Sequence, residues 1–504
     1  MSLAALPTPM SDDLPHGGRA DHFIAGAWRP PSSARYVSAE DPSTGLPLGE
    51  VAVGTSEDAR AAVDAAVAVE ERWGFTPAHE RARLLRAVSA RLTADREGLA
   101  RLIAREVGKP IGEARTEADR ASEVFAYAAE ECRLLTGETF PADAYARPAG
   151  NEHRLLYTVR DPIGVVVAIS PFNFPLNLLS HKVAPALAAG NPVVAKPTRA
   201  APFIALRLAE HLHAAGVPAG AFNVVIGPGS AVGDALIDHP ATRLVTFTGS
   251  TDVGTAIAER AARGAKRTIL EMGGLDPFIV FADAPLERTV RDALRGAFAF
   301  SGQVCTASKR FLVERSIADR FGAAFARGAA ALRVGPALEE ETQVGPVIDG
   351  ASVDRLTAIV ADAKERSATI LTGGSADRGR PGHFFAPTVL DRVPPEARVA
   401  REEPFGPLAP ILRFDGEEEA IRLANGTPYG LQASVYTQDL SRALSMARRL
   451  RAGGVHVNDP TTLRWDALPF GGVKMSGLGR EGLHEAMREM TELKMVSVNF
   501  APVG

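Results

Sequence analysis

Thr268-Ile269-Leu270-Glu271-Met272-Gly273-Gly274-Leu275-Asp276-Pro277-Phe278-Ile279-Val280-Phe281 places two apolar runs on either side of a carboxylate and a pair of glycines. Runs this short, bounded by Gly and Pro, predict buried strands rather than helices. Upstream, residues 165–169, 193–195, 222–226 and 244–247 have the same character, with helical candidates between them at 178–189, 204–215, 231–238 and 255–263. Apolar strands alternating with helices imply a parallel sheet covered on both faces, and such sheets bind ligands beyond the carboxyl ends of their strands. Downstream, strand candidates at 278–281, 311–313, 369–371, 409–414 and 454–458 begin a second series. The fold class is therefore α/β, with two units in one chain and Glu271 near their junction, a favoured place for a site.

The rest of the chain fits a globular protein of several domains. Its 504 residues predict two to four of them, at about 100–200 residues each. Residues 57–92 and 97–136 have helical spacing, and 492–500 alternates in part, as a strand pairing with another element or subunit would. A net charge of −4 gives no basic footprint for nucleic acid. No stretch approaches the roughly 18 apolar residues needed to cross a bilayer, so no membrane association is expected and the expected location is cytoplasmic. The first twenty residues lack the apolar core of a secretory signal, and 1–21 is expected to be a flexible tail. Cys132 and Cys305 cannot form a disulfide framework, which agrees with a reducing compartment.

Several turns carry residues suited to chemistry. Cys305 closes Gly302-Gln303-Val304-Cys305; a thiol is the strongest neutral-pH nucleophile among side chains, and Glu271 can serve it as a base. Gly227-Pro228-Gly229-Ser230-Ala231-Val232-Gly233 follows a strand and opens a helix, where backbone N–H groups can face an anion. Its spacing is one residue longer than the usual dinucleotide fingerprint, and a structural turn explains it equally well. Phe247-Thr248-Gly249-Ser250 is a second such turn, and Lys196-Pro197 ends a strand where a lysine can hold a ribose hydroxyl or phosphate. In Ser170-Pro171-Phe172-Asn173-Phe174-Pro175, Asn173 is a neutral donor able to polarise a carbonyl, or an Asn in a Pro-rich turn. Cys132 lies in a helical stretch without a neighbouring base and reads as a structural thiol.

Together with Glu403-Pro404-Phe405-Gly406-Pro407 and Pro469-Phe470-Gly471-Gly472, these motifs resemble the aldehyde dehydrogenase superfamily in order and spacing, from about residue 22 to the C-terminus. The nearest branches are those acting on lactaldehyde, glyceraldehyde-3-phosphate (non-phosphorylating) and phosphonoacetaldehyde. The resemblance implies a Rossmann-like NAD(P)-binding domain over 22–143 and 161–273, a catalytic domain over 274–480, and a small β oligomerisation element from 144–160 and 481–504. Cys305 would attack the aldehyde, with Asn173 and the Cys305 N–H holding the oxyanion, and Glu271 would activate water against the resulting thioester. Ser170, Phe172, Lys196, Arg199, Gly229, Gly233, Gly249, Ser250, Gly273, Glu403 and Phe405 would contact the cofactor, with no metal required. The resemblance also implies a homodimer or homotetramer.

The chain departs from the common pattern in two places. Arg199 stands where many members carry a ribose-binding glutamate, so NADP should at least be tolerated beside NAD. Arg464, with Arg120 and Phe470, is a candidate for gripping an anionic or hydroxylated tail, though Arg464 can equally serve a structural ion pair with Asp466. Val304 stands where branches using phosphorylated substrates often place an arginine, which favours a small α-substituted aldehyde with at most one negative charge. A coenzyme A-acylating enzyme, or a catalytically silent protein on the same fold, are the alternatives; Glu271 argues against the first.

Overall fold

In the computed structural model, which describes residues 14–501, the valine-rich run Val165–Ile169 becomes the middle of an eight-stranded sheet. Val165, Val166 and Val167 are fully buried, as strands covered on both faces require. Five parallel strands run in the order Arg267–Glu271, Thr242–Thr248, Val165–Ile169, Val193–Lys196 and Phe222–Val224. Strand order reverses between Val165–Ile169 and Thr242–Thr248, which opens a crevice at their carboxyl ends. Antiparallel additions close the edges: His22–Ile24 with Ala27–Arg29 on one side, Gly477–Leu478 on the other.

The second sheet has seven strands in the order Thr369–Thr372, Thr388–Asp391, Leu408–Phe414, Ser308–Glu314, Asp276–Val280, Gln432–Tyr436 and Gly454–Val457. All pair in parallel except Thr369–Thr372. Thr388–Asp391 and Gln432–Tyr436 add to the strands legible in the sequence, because a polar first residue shortens each apolar run. Separate apolar clusters cover the two faces of each sheet. The chain is thus an α/β protein with a Rossmann-like sheet and a second α/β unit.

A third, small sheet joins Thr139–Phe140, Arg154–Pro162 and Thr491–Asn499, the last two antiparallel from Thr491 opposite Pro162 to Asn499 opposite Arg154. The helix Leu483–Glu489 instead packs on Asn177–Ala188 beside the first sheet, so the small sheet takes less of 481–504 than expected. Arg19–Ala20 pairs with Leu46–Ala52, itself hairpinned with Tyr36–Asp41, so the expected tail is ordered at its end; residues 1–13 lie outside the described residues. No helix among the described residues is long and apolar enough to cross a membrane.

Buried carboxylates position the helices that flank the crevice. Glu117 accepts the N–H groups of Leu176 and Asn177, at the start of Asn177–Ala188, and pairs with fully buried Lys109. Glu106 does the same for Phe203 and Ile204 at the start of Pro202–Ala214. Each satisfies donors that a helix leaves unpaired at its first turn.

Candidate active site

Glu271 ends the last parallel strand of the first sheet, and its carbonyl accepts the N–H of Gly249 at 3.0 Å. Its side chain is buried, and neither carboxylate oxygen has a hydrogen-bond partner among the described residues. Gly471 passes so close that a Cβ there would lie 2.7 Å from Oε1 of Glu271. Burial, and then the Glu481 carboxylate, push the Glu271 carboxyl well above its usual range against the pull of Arg464, Lys182 and Arg480.

Glu481 has the opposite fate in the same surroundings. Burial raises it, but Lys182 Nζ at 2.7 Å and Arg464 Nη2 at 3.2 Å outweigh that and hold it down at about 2. Lys182 also donates to Thr248 Oγ1 at 2.7 Å, tying this pair to the strand next to Glu271. Two buried carboxyls pushed in opposite directions can occupy different protonation states at neutral pH, as acid–base chemistry requires. The sequence reading missed Glu481 and Lys182; a single lysine within the apolar helix Asn177–Ala188 was the available signal.

Cys305 follows a strained turn. Phe300, Ser301 and Gly302 take φ values of 44°, 55° and 70°, a left-handed run that costs non-glycine residues of order 1–3 kcal/mol each. The surroundings hold it in place. Ser301 Oγ donates to Gly345 O at 2.7 Å, the Phe300 N–H donates to Glu113, and Gln303 Oε1 accepts the Ile348 N–H at 2.8 Å. A Cβ at Gly302 would meet Gly406 O at 2.2 Å, which accounts for glycine there. Burial pushes the Cys305 thiol up to about 12, with Lys309 and Arg464 opposing, so the thiol stays protonated at neutral pH until a base acts on it.

A cavity of about 500 Å³ opens on Cys305 and is lined by Val304, Phe174, Phe298, Arg120, Arg464 and Phe470, among others. Asn173 and Glu271 do not line it. They sit at or just beyond the carboxyl ends of Val165–Ile169 and Arg267–Glu271, the two strands that flank Thr242–Thr248. Oδ1 of Asn173 is buried and without a partner among the described residues. Both arginines are already matched: Arg120 grips Asp466 with two hydrogen bonds of 2.8 and 2.6 Å, and Arg464 pairs with Glu481 while its guanidinium lies 3.8 Å over the Phe470 ring. His181 Nε2 also meets Asp466, at 2.9 Å. Against its burial, His181 and Arg120 hold the Asp466 carboxyl far below the usual range.

The expected cofactor residues form two groups. A second cavity, about 490 Å³, is lined by Lys196, Thr198, Arg199, Gly227, Pro228 and Gly229, with Gly233 beside the Lys196 methylenes. Lys196 is buried without an ion pair among the described residues, and burial, then Arg199, lower it to about 8. Nearer the sheet junction, Phe172 and Phe405 meet edge to face at 5.8 Å, and Glu403 accepts the Gly274 N–H and pairs with Lys309 at 3.0 Å. A Cβ at Gly273 would collide with Glu403 Oε2 at 2.6 Å. Gly249 and Ser250 lead into the helix Thr251–Ala262, and Ser250 is exposed. A buried lysine without a counterion, and a buried Ser170 Oγ without a partner, fit a ligand rich in hydroxyl and phosphate oxygens. No cluster of three metal-ligating side chains occurs among the described residues.

Comparisons with known proteins agree with this arrangement. The model of the aldehyde dehydrogenase family matches residues 28–496. The NADP⁺-dependent succinate-semialdehyde dehydrogenase of Escherichia coli (strain K12) is 39% identical, covering 96% of this chain and 98% of that protein. The lactaldehyde dehydrogenase of Methanocaldococcus jannaschii is 38% identical over 88% of this chain and 93% of its own. A solved structure of betaine aldehyde dehydrogenase from Staphylococcus aureus, in complex with NAD⁺, superposes with a TM-score of 0.92 at 34% identity, covering 97% of this chain and 96% of that one.

The Glu271 carboxyl makes stability depend on pH. Because its folded pKa lies above the unfolded value of about 4.3, its stabilising contribution is full below that value and is lost as pH rises through the folded pKa. Glu271→Gln removes this loss. The Tm of the variant minus that of the native protein should therefore grow as pH rises from about 5. A difference that stays constant as pH rises would show a carboxyl with an ordinary pKa.

Proposed function

The chain belongs to the aldehyde dehydrogenase family, and from that premise we propose that it oxidises a small, singly anionic or α-hydroxylated aldehyde to the free acid through Cys305. It is an oxidoreductase of NAD or NADP. The observation that carries the hydrolytic reading is the desolvated, hydrogen-bond-free carboxyl of Glu271, whose raised pKa makes its carboxylate a stronger base toward water.

In this reading Cys305 gives its proton to the ionised Glu271 carboxylate, which releases it to solvent before the hydrolysis step, and the Sγ attacks the aldehyde carbon. The backbone N–H of Cys305 and the side-chain amide of Asn173 hold the oxygen as it becomes anionic, where each such donor is worth about 10²–10³ in rate. The nicotinamide cofactor supplies the hydride acceptor. Lys196 and Ser170 would bind its hydroxyl and phosphate oxygens, Glu403 would hold the ribose beside the nicotinamide, and Phe405 would pack near it. Loss of hydride leaves a thioester on Cys305. Glu271 then takes a proton from water as its oxygen attacks the thioester carbon, and the acid departs as the thiol re-forms. Glu481, held ionised by Lys182 and Arg464, raises the basicity of Glu271 without contacting the substrate.

Val304 and the aromatic lining of the Cys305 cavity support a small aldehyde, and the M. jannaschii relative is named for lactaldehyde. Exposed Leu493, Met495, Val498 and Phe500 on and just beyond the outer strand of the small sheet support association with further copies, as a dimer or tetramer. A reducing, cytoplasmic setting would keep Cys305 a free thiol.

An aldehyde panel followed by reduced-nicotinamide absorbance tests the reading. Acid should form without coenzyme A and at the same rate with it; an acyl-coenzyme A product would assign the acylating chemistry instead. Arg199 is exposed beside the Lys196 cavity, where a guanidinium can pair with a 2′-phosphate. Arg199→Glu should lower the ratio of kcat/KM for NADP to that for NAD by about tenfold or more. An unchanged ratio would remove Arg199 from cofactor choice.

A further inference from the structure

One face of the helix Leu286–Phe298 belongs to the Cys305 cavity. Arg291, Leu294, Arg295 and Phe298 all line it, at the i, i+3, i+4 and i+7 spacing of a single helical stripe. Val290, Ala293 and Ala297 turn away from the cavity into the core of the second sheet, which Phe298 also joins and against which Leu294 packs. The stripe is graded. Phe298 is 2% exposed next to the turn that carries Cys305, whereas Arg295 and Arg291 are exposed. At about 1.5 Å rise per residue they lie about 4.5 and about 10 Å further along the helix axis than Phe298.

The charges around this stripe are unbalanced. Arg120 and Arg464, deeper in the cavity, are matched by Asp466 and Glu481, and Glu117 by Lys109. Glu113 accepts the Phe300 N–H, and burial raises its carboxyl toward the neutral form; Lys109 and Arg295 act on it only at a distance. The side chains of Arg291 and Arg295 make no hydrogen bond or ion pair among the described residues. Two guanidinium groups one helical turn apart repel each other, and such a pair is relieved when an anion lies between them.

We propose that Arg295 and Arg291 form a second recognition point in the substrate channel, holding an oxyanion at the far end of the aldehyde chain while Cys305 takes its carbonyl end. This rests on the reading of Cys305 as the aldehyde nucleophile, and it names the substrate class: a semialdehyde with a terminal carboxylate, or a sulfonate of like geometry. A cavity of about 500 Å³ leaves room for such a chain beyond what a three-carbon aldehyde fills. The apolar stretch between the two ends, Phe298 and Leu294, suits the intervening methylenes.

The test compares kcat/KM for aldehydes of equal chain length ending in a carboxylate, a sulfonate or a methyl group, in the native protein, the Arg291→Gln/Arg295→Gln double variant and Arg295→Lys. The native protein should prefer a charged terminus, and whichever oxyanion is preferred identifies the tail. The double variant should lower the charged-to-neutral ratio by about tenfold or more, mainly through KM, and Arg295→Lys should keep part of the preference. Added salt should narrow the native ratio, since the two arginines are exposed. Turnover of neutral and charged aldehydes with no preference, or a ratio unchanged in the double variant, would overturn the recognition point alone. No reduced nicotinamide from any aldehyde would overturn the function on which it rests.

Discussion

Four residues, Met272 to Leu275, join the last parallel strand of one sheet to a central strand of the other, and this short link sets the geometry of the site. A connection that short presses the end of the first sheet against the turn that carries Cys305. Gly273 and Gly274 make the approach possible: a Cβ on the first would strike Glu403, and on the second Asp276 and the Cys305 carbonyl. Glu271, the last residue before the link, is thereby sealed from solvent and from hydrogen-bond donors. The same packing that joins the two sheets shifts the Glu271 carboxyl, the proposed base.

Electrostatics then separates two carboxyls in one buried neighbourhood. Glu481 receives a lysine and an arginine and stays ionised; Glu271 receives neither as a direct partner and is pushed up. Cys305 is desolvated as well, so burial disfavours the charged forms of both the thiol and the Glu271 carboxyl. The left-handed turn at Phe300–Ser301–Gly302 is held by hydrogen bonds that Ser301 donates and that Gln303 and Glu113 accept. They fix the turn that brings Cys305 to the cavity wall.

Sequence periodicity made the parallel strands legible because both faces of each are buried, which leaves an uninterrupted apolar run. It failed at Gln432–Tyr436 and Thr388–Asp391, where a polar residue opens the strand, and in the hairpin of Tyr36–Asp41 and Leu46–Ala52, whose solvated residues resemble a loop. Cys305, Glu271 and Asn173 stood out because their flanking glycines, prolines and aromatics mark sharp turns at strand ends. The ion-pair framework did not. Lys182 meets Glu481 and Arg120 meets Asp466 across separations of 299 and 346 residues, which no local pattern reveals. Arg291 and Arg295 lie on a helix whose local spacing gives no sign that a cavity runs along one face.

In the proposed reaction Cys305 carries the acyl group and Glu271 releases it. Intact-protein mass spectrometry of the Glu271→Gln variant, mixed with aldehyde and oxidised cofactor, tests this most directly. The predicted result is an adduct on Cys305 with the mass of the aldehyde less two hydrogens, formed with one equivalent of reduced nicotinamide per site and lost only slowly. An adduct located on Cys132, or undiminished steady turnover with no adduct on Cys305, would contradict it.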